Sequence, residues 1–219
     1  MRTFFILLMI QLLPMGVYAQ QLKETGASPD DLVPEGFWST MAQGDLNKDG
    51  IADLAIIAIS NDKENLKVRE DGYVYNFNQP ILAIYMGQRE GGYKMWKQYK
   101  DILSKRNETT SIDHSLNITD RGVLQINISE FHTAGGWSEP SATYVLRLQN
   151  GDFFLIGKDT DSFARNTGEG EKVSCNYLTR KCQTITYNAM DDSVKPIEKW
   201  SKLPNKKLEV LGSFTLEAY

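Results

Sequence analysis

The sequence predicts a mainly β fold of short antiparallel strands, forming a meander, a sandwich or a propeller-like sheet, with one or two short helices. Three observations support this prediction. Residues 54–59 form a continuous apolar run short enough for a buried strand, and residues 122–130 alternate apolar and polar side chains. Asn150-Gly151 separates the strand-like stretches 143–148 and 153–158, and it is a favoured turn for a two-residue hairpin.

The first half of the chain mixes helical and strand-like signals. Ser28 is a candidate N-cap of a short helix, which we predict to continue through residues 35–41. Gly91-Gly92 predicts a hairpin between two strands. The remaining predictions are strands at 54–59, 81–86 and 93–96, a helical turn at 99–105, and polar surface loops at 61–72 and 106–117.

The second half reads as strands with clearer turn signals. Residues 123–130 predict one strand with a single apolar face, and residues 143–158 predict a hairpin about Asn150-Gly151. Residues 172–177 and 183–187 predict a second antiparallel pair, and residues 208–216 predict a last strand.

Residues 1–19 have the layout of a secretory signal peptide. Arg2 supplies the positive charge, residues 4–13 form an apolar run too short to span a bilayer, and Val17 and Ala19 fit the cleavage positions. An N-terminal membrane anchor is the alternative. We therefore expect an exported protein, periplasmic or secreted, with no transmembrane segment after cleavage and a single β-rich domain at 20–219.

The charge distribution argues against two classes of partner. The formal net charge is −4 at pH 7, and the sequence has no basic block. Nucleic acid and anionic membrane surfaces are poor partners for such a chain.

The segment 44–60 carries the strongest chemical signal. Side-chain oxygens recur at Asp45, Asn47, Asp49 and Asp53, Gly50 stands where such a loop must turn, and the backbone carbonyl of Ile51 adds a further oxygen. Calcium prefers six to eight hard oxygen ligands, which alternate residues of a tight loop can supply. An EF-hand would place a bidentate glutamate at position twelve of the loop, where this chain has an isoleucine. The alternative interpretation is an Asx-rich turn whose aspartates are merely solvated.

The same segment resembles the calcium loop of FG-GAP repeats, the integrin-type propeller blades in which a D-x-N-x-D-G-x-x-D loop precedes a buried strand. This resemblance covers residues 44–59, and a propeller needs several such blades where the sequence has one. A broader resemblance, to a family of exported bacterial proteins, rests on GDLNKDGIADLAII, PILAIYM, SCNYLTRK, the stretch 148–171 and the tail KWSKLPNKKLEVL. It implies export and a single folded unit, and it carries no activity over to this chain.

Cys175 and Cys182 are the two cysteines of the sequence. If residues 178–179 form the turn, the two cysteines lie directly opposite each other, which predicts a disulfide in an oxidising compartment. Free thiols are the alternative. Asp159 and Asp161 head a second acidic cluster, for which we favour a solvated strand end over a second metal site.

The function that these residues favour is an exported, non-catalytic binding or accessory module of the cell envelope with a structural calcium ion. His132 and Trp137 lie in a glycine-bearing loop and are candidate ligand-binding residues, for a glycan or a protein ligand. The alternative for Trp137 is a place in the core. The alternative function is a secreted or periplasmic hydrolase that uses Asp159 and Asp161, with calcium as structural support.

Overall fold

The computed structural model describes residues 21–219, so the predicted signal peptide at 1–19 lies outside the described residues. The described chain is mainly β and antiparallel, as predicted. It has one short α-helix, α1 (Pro29–Leu32), and one 3-10 turn (Lys63–Asn65). The strands are β1 (Thr25–Gly26), β2 (Trp38–Gly44), β3 (Asp53–Ile59), β4 (Leu66–Val68), β5 (Val74–Asn76), β6 (Ile81–Gly87), β7 (Tyr93–Tyr99), β8 (Thr110–Ile118), β9 (Val123–His132), β10 (Ser138–Gln149), β11 (Asp152–Ala164), β12 (Glu169–Asn176), β13 (Lys181–Asn188) and β14 (Ile197–Lys202).

These strands form two main sheets and one small one. The five-stranded sheet has the order β1-β7-β6-β3-β2, and the seven-stranded sheet has the order β14-β13-β12-β11-β10-β9-β8. Strands β4 and β5 pair separately. Strands β2 and β8, each at the edge of its sheet, lie against each other, so the two sheets meet along that side.

The main core lies between the two sheets. Alternate residues of β9 and β10, among them Ile126, Ile128, Tyr144 and Leu146, face it, as their period-two pattern requires. Strand β3 is buried on both faces because a second cluster, closed by Leu32 of α1, covers its other side. The continuous apolar run of β3 follows from this double burial.

Both predicted hairpins of the second half are confirmed. Strands β10 and β11 pair through Gln149 and Asp152 about a two-residue turn in which Asn150 and Gly151 have φ of 50° and 85°. Two positive φ values in succession are what a type I′ turn requires. Strands β12 and β13 pair with Cys175 opposite Cys182, the predicted register.

Several element predictions were wrong. Helix α1 begins after Ser28, but the predicted continuation over residues 35–41 is not helical, and its residues 38–41 belong to strand β2. Residues 99–105 contain no helical turn: Tyr99 is the last residue of β7, and residues 100–105 form no helix. Most of the predicted loop 106–117 is strand β8. The predicted strand 208–216 forms only two isolated bridges, although Leu211 and Leu216 are buried in the main core.

Strands β12, β13 and β14 extend beyond the core. Most of their side chains are half-buried or exposed, and Cys182 is the one that belongs to the buried set. This three-stranded extension is held by the backbone ladder and by the disulfide rather than by an apolar interior.

Candidate functional site

The loop between β2 and β3 closes tightly. Gly44 and Asp53 form the last residue pair of the two strands, and eight residues connect them. Lys48 and Gly50 have φ of 64° and 83°, so the backbone turns sharply at two places. At Gly50 the left-handed conformation explains why the sequence has glycine, since other residues adopt it at a cost.

Asp45 organises this loop through the carboxylate of its side chain. Its Oδ1 accepts hydrogen bonds from the backbone N–H groups of Lys48, at 2.6 Å, and Asp49, at 3.2 Å. Its Oδ2 accepts a third from the backbone N–H of Gly50, at 2.9 Å. The carboxylate therefore points into the loop and draws three backbone donors around itself.

Asp53 closes the same loop from the start of β3, and its side chain is fully buried. Its Oδ2 accepts hydrogen bonds from the N–H groups of Leu46, at 2.9 Å, and Asn47, at 3.3 Å. Its Oδ1 accepts one from Gly87 at the end of β6, at 2.9 Å. Burial raises the pKa of Asp53 above its ordinary value, while the three N–H donors act in the opposite direction. Asp53 thus joins the loop to β6.

The loop has the oxygen ligands that calcium prefers. A carboxylate has about four lone-pair positions, so Asp45 and Asp53, with three accepted hydrogen bonds each, keep about one free position apiece. Asn47 and Asp49 lie beside them, with 3.1 Å between Asn47 Nδ2 and Asp49 Oδ2. Within residues 21–219 no three His, Cys, Asp or Glu side chains form a ready metal-holding group. The loop is closed by its own backbone donors, and calcium at Asp45, Asn47, Asp49, Ile51 and Asp53 stays a prediction.

A network of polar side chains lies just after the C-terminal end of β3, opposite the end that carries the loop. The sequence analysis did not predict it. Asn76 is buried and donates through Nδ2 to the Ser60 carbonyl, at 2.8 Å, and to Asn61 Oδ1, at 3.0 Å. Its Oδ1 accepts from the backbone N–H and the side-chain amide of Asn78, both at 2.9 Å. The network ties residues 60–62 to the end of β5. The only signal for it in the sequence is the alternation of two asparagines with Phe77.

Asp159 and Asp161 lie on one face of β11, and neighbouring strands engage them separately. Asp159 Oδ1 accepts a hydrogen bond from Ser174 Oγ at 2.6 Å. Asp161 Oδ1 accepts one from the Tyr187 hydroxyl at 2.6 Å, and its Oδ2 lies 3.3 Å from Lys172 Nζ. These contacts are those of an ordinary sheet surface.

Asp161 also borders a depression of about 280 Å³ on that face of the seven-stranded sheet. Asp113, Glu139 and Phe163 line it as well, whereas Asp159 and Trp137 do not. Trp137 lies beyond the last residue pair of β10 and β11, roughly 13 Å along the strand from Asp161 at about 3.3 Å per residue. The two aspartates and Trp137 therefore do not converge in one cleft.

His132 ends β9 and has partners on both ring nitrogens. Nδ1 lies 3.1 Å from Thr110 Oγ1, and Nε2 lies 3.1 Å from the Tyr219 hydroxyl and 3.6 Å from Glu130 Oε2. The ring therefore links β8, β9 and the C-terminal segment. This placement is that of a structural link, and the ligand-binding role predicted for His132 stays a prediction.

Trp137 is exposed, with 63% of its surface accessible to solvent. Arg165 organises the loop that carries it, a role that sequence reasoning missed. The guanidinium donates to the carbonyl oxygens of His132, at 2.6 Å, and Gly136, at 3.2 Å, and it lies 3.4 Å from the carboxylate of Glu139. The same group lies 5.9 Å from the Trp137 ring centroid, within cation–π range. Trp137 is therefore exposed to solvent on a loop that Arg165 anchors.

The predicted disulfide between Cys175 and Cys182 is present. The two Cα atoms are 4.1 Å apart, which fits a directly opposed pair that is not hydrogen-bonded. Arg180, with φ of 59°, and Asn176, whose side chain caps two backbone N–H groups, shape the turn between them.

The fold and the loop define a mainly β protein in which an oxygen-rich loop joins two antiparallel strands, the second of them buried. The family model of the FG-GAP repeat matches residues 37–77, so the chain contains an FG-GAP repeat. The matched residues comprise β2, the loop, β3 and the segment that continues from β3 through β4 and β5. The matched segment includes residues 44–59, on which the resemblance to FG-GAP repeats rests. It covers less than half of the chain. The comparisons with curated proteins and with solved structures gave no match. The described residues contain no helix of membrane-spanning length and hydrophobicity.

Proposed function

We propose that the protein is an exported, non-catalytic binding or accessory protein whose β2–β3 loop holds a structural calcium ion. Its ligands would be Asp45, Asn47, Asp49, the carbonyl of Ile51 and Asp53. The observation that carries the proposal is that one tight loop, inside the FG-GAP repeat, carries three aspartates whose carboxylates each accept backbone hydrogen bonds from the loop itself. In addition to burial, the negative charge of Asp49 helps to raise the pKa of Asp53, and a divalent cation at the loop would remove that repulsion.

The ion would act on the fold rather than on a substrate. Asp53 bonds to the backbone of Leu46 on the loop and of Gly87 on β6, so a cation at the loop would stabilise the junction of β2, β3 and β6. With a single loop and no bidentate glutamate, we expect an affinity on the order of 10⁻⁴–10⁻³ M, which is typical of extracellular modules.

Export is supported by the disulfide, because such bonds persist in oxidising compartments. The binding role rests on Trp137, an exposed aromatic ring on an anchored loop. Aromatic side chains at such positions supply contact area to glycan and protein ligands at a low cost in conformational entropy. Asp159 and Asp161 do not meet Trp137 in a cleft, so the proposal assigns them no catalytic role.

The test of the calcium proposal is a thermal melt of the purified protein in EGTA and again with millimolar Ca²⁺. We expect the melting temperature to rise with Ca²⁺ in the wild type and to stay unchanged in Asp49→Ala. The matched control is Asp192→Ala, which removes an exposed aspartate far along the chain and should keep the full response. Mg²⁺ at the same concentration should give a smaller rise, because it demands a tighter octahedral shell. Equal responses in the wild type and in Asp49→Ala would refute the proposal.

A further inference from the structure

Strand β14 is an open edge of the seven-stranded sheet. It pairs with β13 on one side, and within residues 21–219 no strand pairs with its other side. All six of its residues are exposed, including Ile197 at 59% and Trp200 at 63%. Exposed edges are ready templates for pairing with another strand, and the charged side chains of this edge, Glu198, Lys199 and Lys202, restrict which strand can pair with it.

The backbone groups that β14 offers are defined by its register with β13. The N–H of Leu203, directly after the strand, donates to the carbonyl of Arg180 on the β13 side. Because backbone groups alternate in direction along an antiparallel strand, the odd-numbered residues bond to β13. Glu198, Trp200 and Lys202 therefore direct their N–H and C=O groups outward, and their side chains share one face of the sheet.

We propose that β14 pairs antiparallel with β14 of a second copy of this chain, with Trp200 opposite Trp200 of the second copy. The two seven-stranded sheets then continue into one another across a two-fold axis. In this register Glu198 lies opposite Lys202 of the second copy, and the symmetry repeats that pair. Each of these three opposed pairs exchanges two backbone hydrogen bonds, because all its members direct their backbone groups outward.

Charge complementarity selects this register over its neighbours. A shift that centres the axis on Lys199, Glu198 or Lys202 places two like charges directly opposite each other, which is destabilising. A shift that centres it on Ser201 leaves two outward-bonded pairs instead of three and places Glu198 opposite Pro204, which has no N–H to donate. The register centred on Trp200 combines two opposite-charge pairs with an aromatic pair, and both kinds stabilise antiparallel sheets.

The pairing closes at two copies. The other edge of the sheet, β8, lies against β2, so a dimer has no further open edge in this sheet from which to grow. The contact involves a single strand from each copy and falls below the area of a standard stable interface. We therefore expect a concentration-dependent dimer with a dissociation constant on the order of 10⁻⁵–10⁻⁴ M.

Sedimentation equilibrium of the purified protein in EGTA, from about 5 to 500 µM, tests this inference separately from the calcium proposal. The wild type should dimerise, while Glu198→Lys and Lys202→Glu alone should each weaken the dimer about tenfold or more, since each converts two attractive pairs into two repulsive ones. The double variant restores opposite charges and should recover the wild-type affinity.

Lys199→Glu is the matched control, because its side chain lies on the other face opposite Ser201 of the second copy, and it should leave the affinity within about threefold of the wild type. Circular dichroism checks that each variant is folded. A wild type that remains monomeric at about 500 µM would overturn the proposal. A dimer that resists the single reversals, or is not restored in the double variant, would overturn it equally.

Discussion

Replacing Asp53 by asparagine should destabilise the protein even without any metal. The buried carboxylate accepts three backbone hydrogen bonds, from Leu46, Asn47 and Gly87. The amide oxygen of the substituted side chain would accept two at most, and its NH₂ group would be turned towards an N–H donor. One buried N–H is then left without an acceptor, and the other two lose an ionised one.

The magnitude follows from these three bonds. A buried N–H left without an acceptor costs about 1–3 kcal/mol, and the NH₂ group turned towards it adds repulsion, while relief of the buried charge offsets the loss of an ionised acceptor at the other two N–H groups. We expect the free energy of unfolding to fall by about 2–4 kcal/mol in urea titrations with EGTA. Asp49→Asn is the control, because Asp49 is exposed and should cost less than about 1 kcal/mol. Losses in the two variants that agree within about 0.5 kcal/mol would refute the role assigned to Asp53.

The pH dependence of the free energy of unfolding, compared between the wild type and Asp53→Asn, gives a second readout. Burial raises the pKa of Asp53 in the folded state above its ordinary value of 3.8, so the folded protein binds this proton more tightly than the unfolded chain. That contribution to stability is fully present below pH 3.8 and is lost as the pH rises through the folded-state pKa. In EGTA, the advantage of the wild type over Asp53→Asn should therefore grow as the pH is lowered from about 7 towards about 4. An advantage that shrinks would contradict a raised pKa.

Two further predictions concern polar side chains away from the loop, the half-buried His114 and the buried Asn76. Burial lowers the pKa of His114 from its ordinary 6.5, and its Nε2 has no hydrogen-bond partner among the described residues. The stability that the neutral ring contributes is therefore present above pH 6.5 and is lost as the pH falls towards the folded-state pKa. His114→Gln should flatten the fall in unfolding free energy between about pH 6.5 and about pH 5, and parallel curves for variant and wild type would contradict this. Asn76→Ala removes four hydrogen bonds from a buried network and should lower the free energy of unfolding by about 2–4 kcal/mol in urea titrations. The control is Asn117→Ala, at an exposed pair with Gln125, which should lower it by less than about 0.5 kcal/mol. Equal costs would show that the Asn76 network contributes little to stability.

The parts of the fold that the sequence predicted correctly are those with local signals. Asn150-Gly151 fixes a two-residue turn by its backbone preference alone, and it set the register of β10 and β11. The spacing of Cys175 and Cys182 placed them opposite each other once their turn was chosen. The run at 54–59 was long enough to predict a strand and too short for a typical helix.

The parts that the sequence did not predict depend on contacts distant along the chain. Strand β8 is polar on its outer face, and that polarity predicts a loop, although Leu116 and Ile118 show a weak alternation. Strand β14 is exposed on both faces, so no burial pattern marks it. Residues 208–216 are apolar because Leu211 and Leu216 fill the core, and an apolar run does not distinguish a strand from an irregular segment that does so.

The candidate site divides in the same way. The oxygen-bearing residues of the loop were predictable because they lie within nine positions of one another, and the resemblance to the FG-GAP repeat rests on that local spacing. The bond from Gly87 to Asp53 joins residues 34 positions apart, and the bonds from Arg165 to the carbonyls of His132 and Gly136 span 33 and 29 positions. No local pattern encodes such pairings.

The segment 211–218 has a consequence for the order in which the protein can fold during synthesis. Leu211, Leu216 and Ala218 belong to the core between the sheets, and the Tyr144 hydroxyl donates to the carbonyl of Glu217 at 2.9 Å. The ribosome adds these residues after every strand of both sheets has been made. Until they emerge, the inner faces of β9 and β10 lack part of their cover, and the nascent chain presents apolar side chains to its surroundings. Completion of the core is therefore a late event, which follows the synthesis of all the described strands.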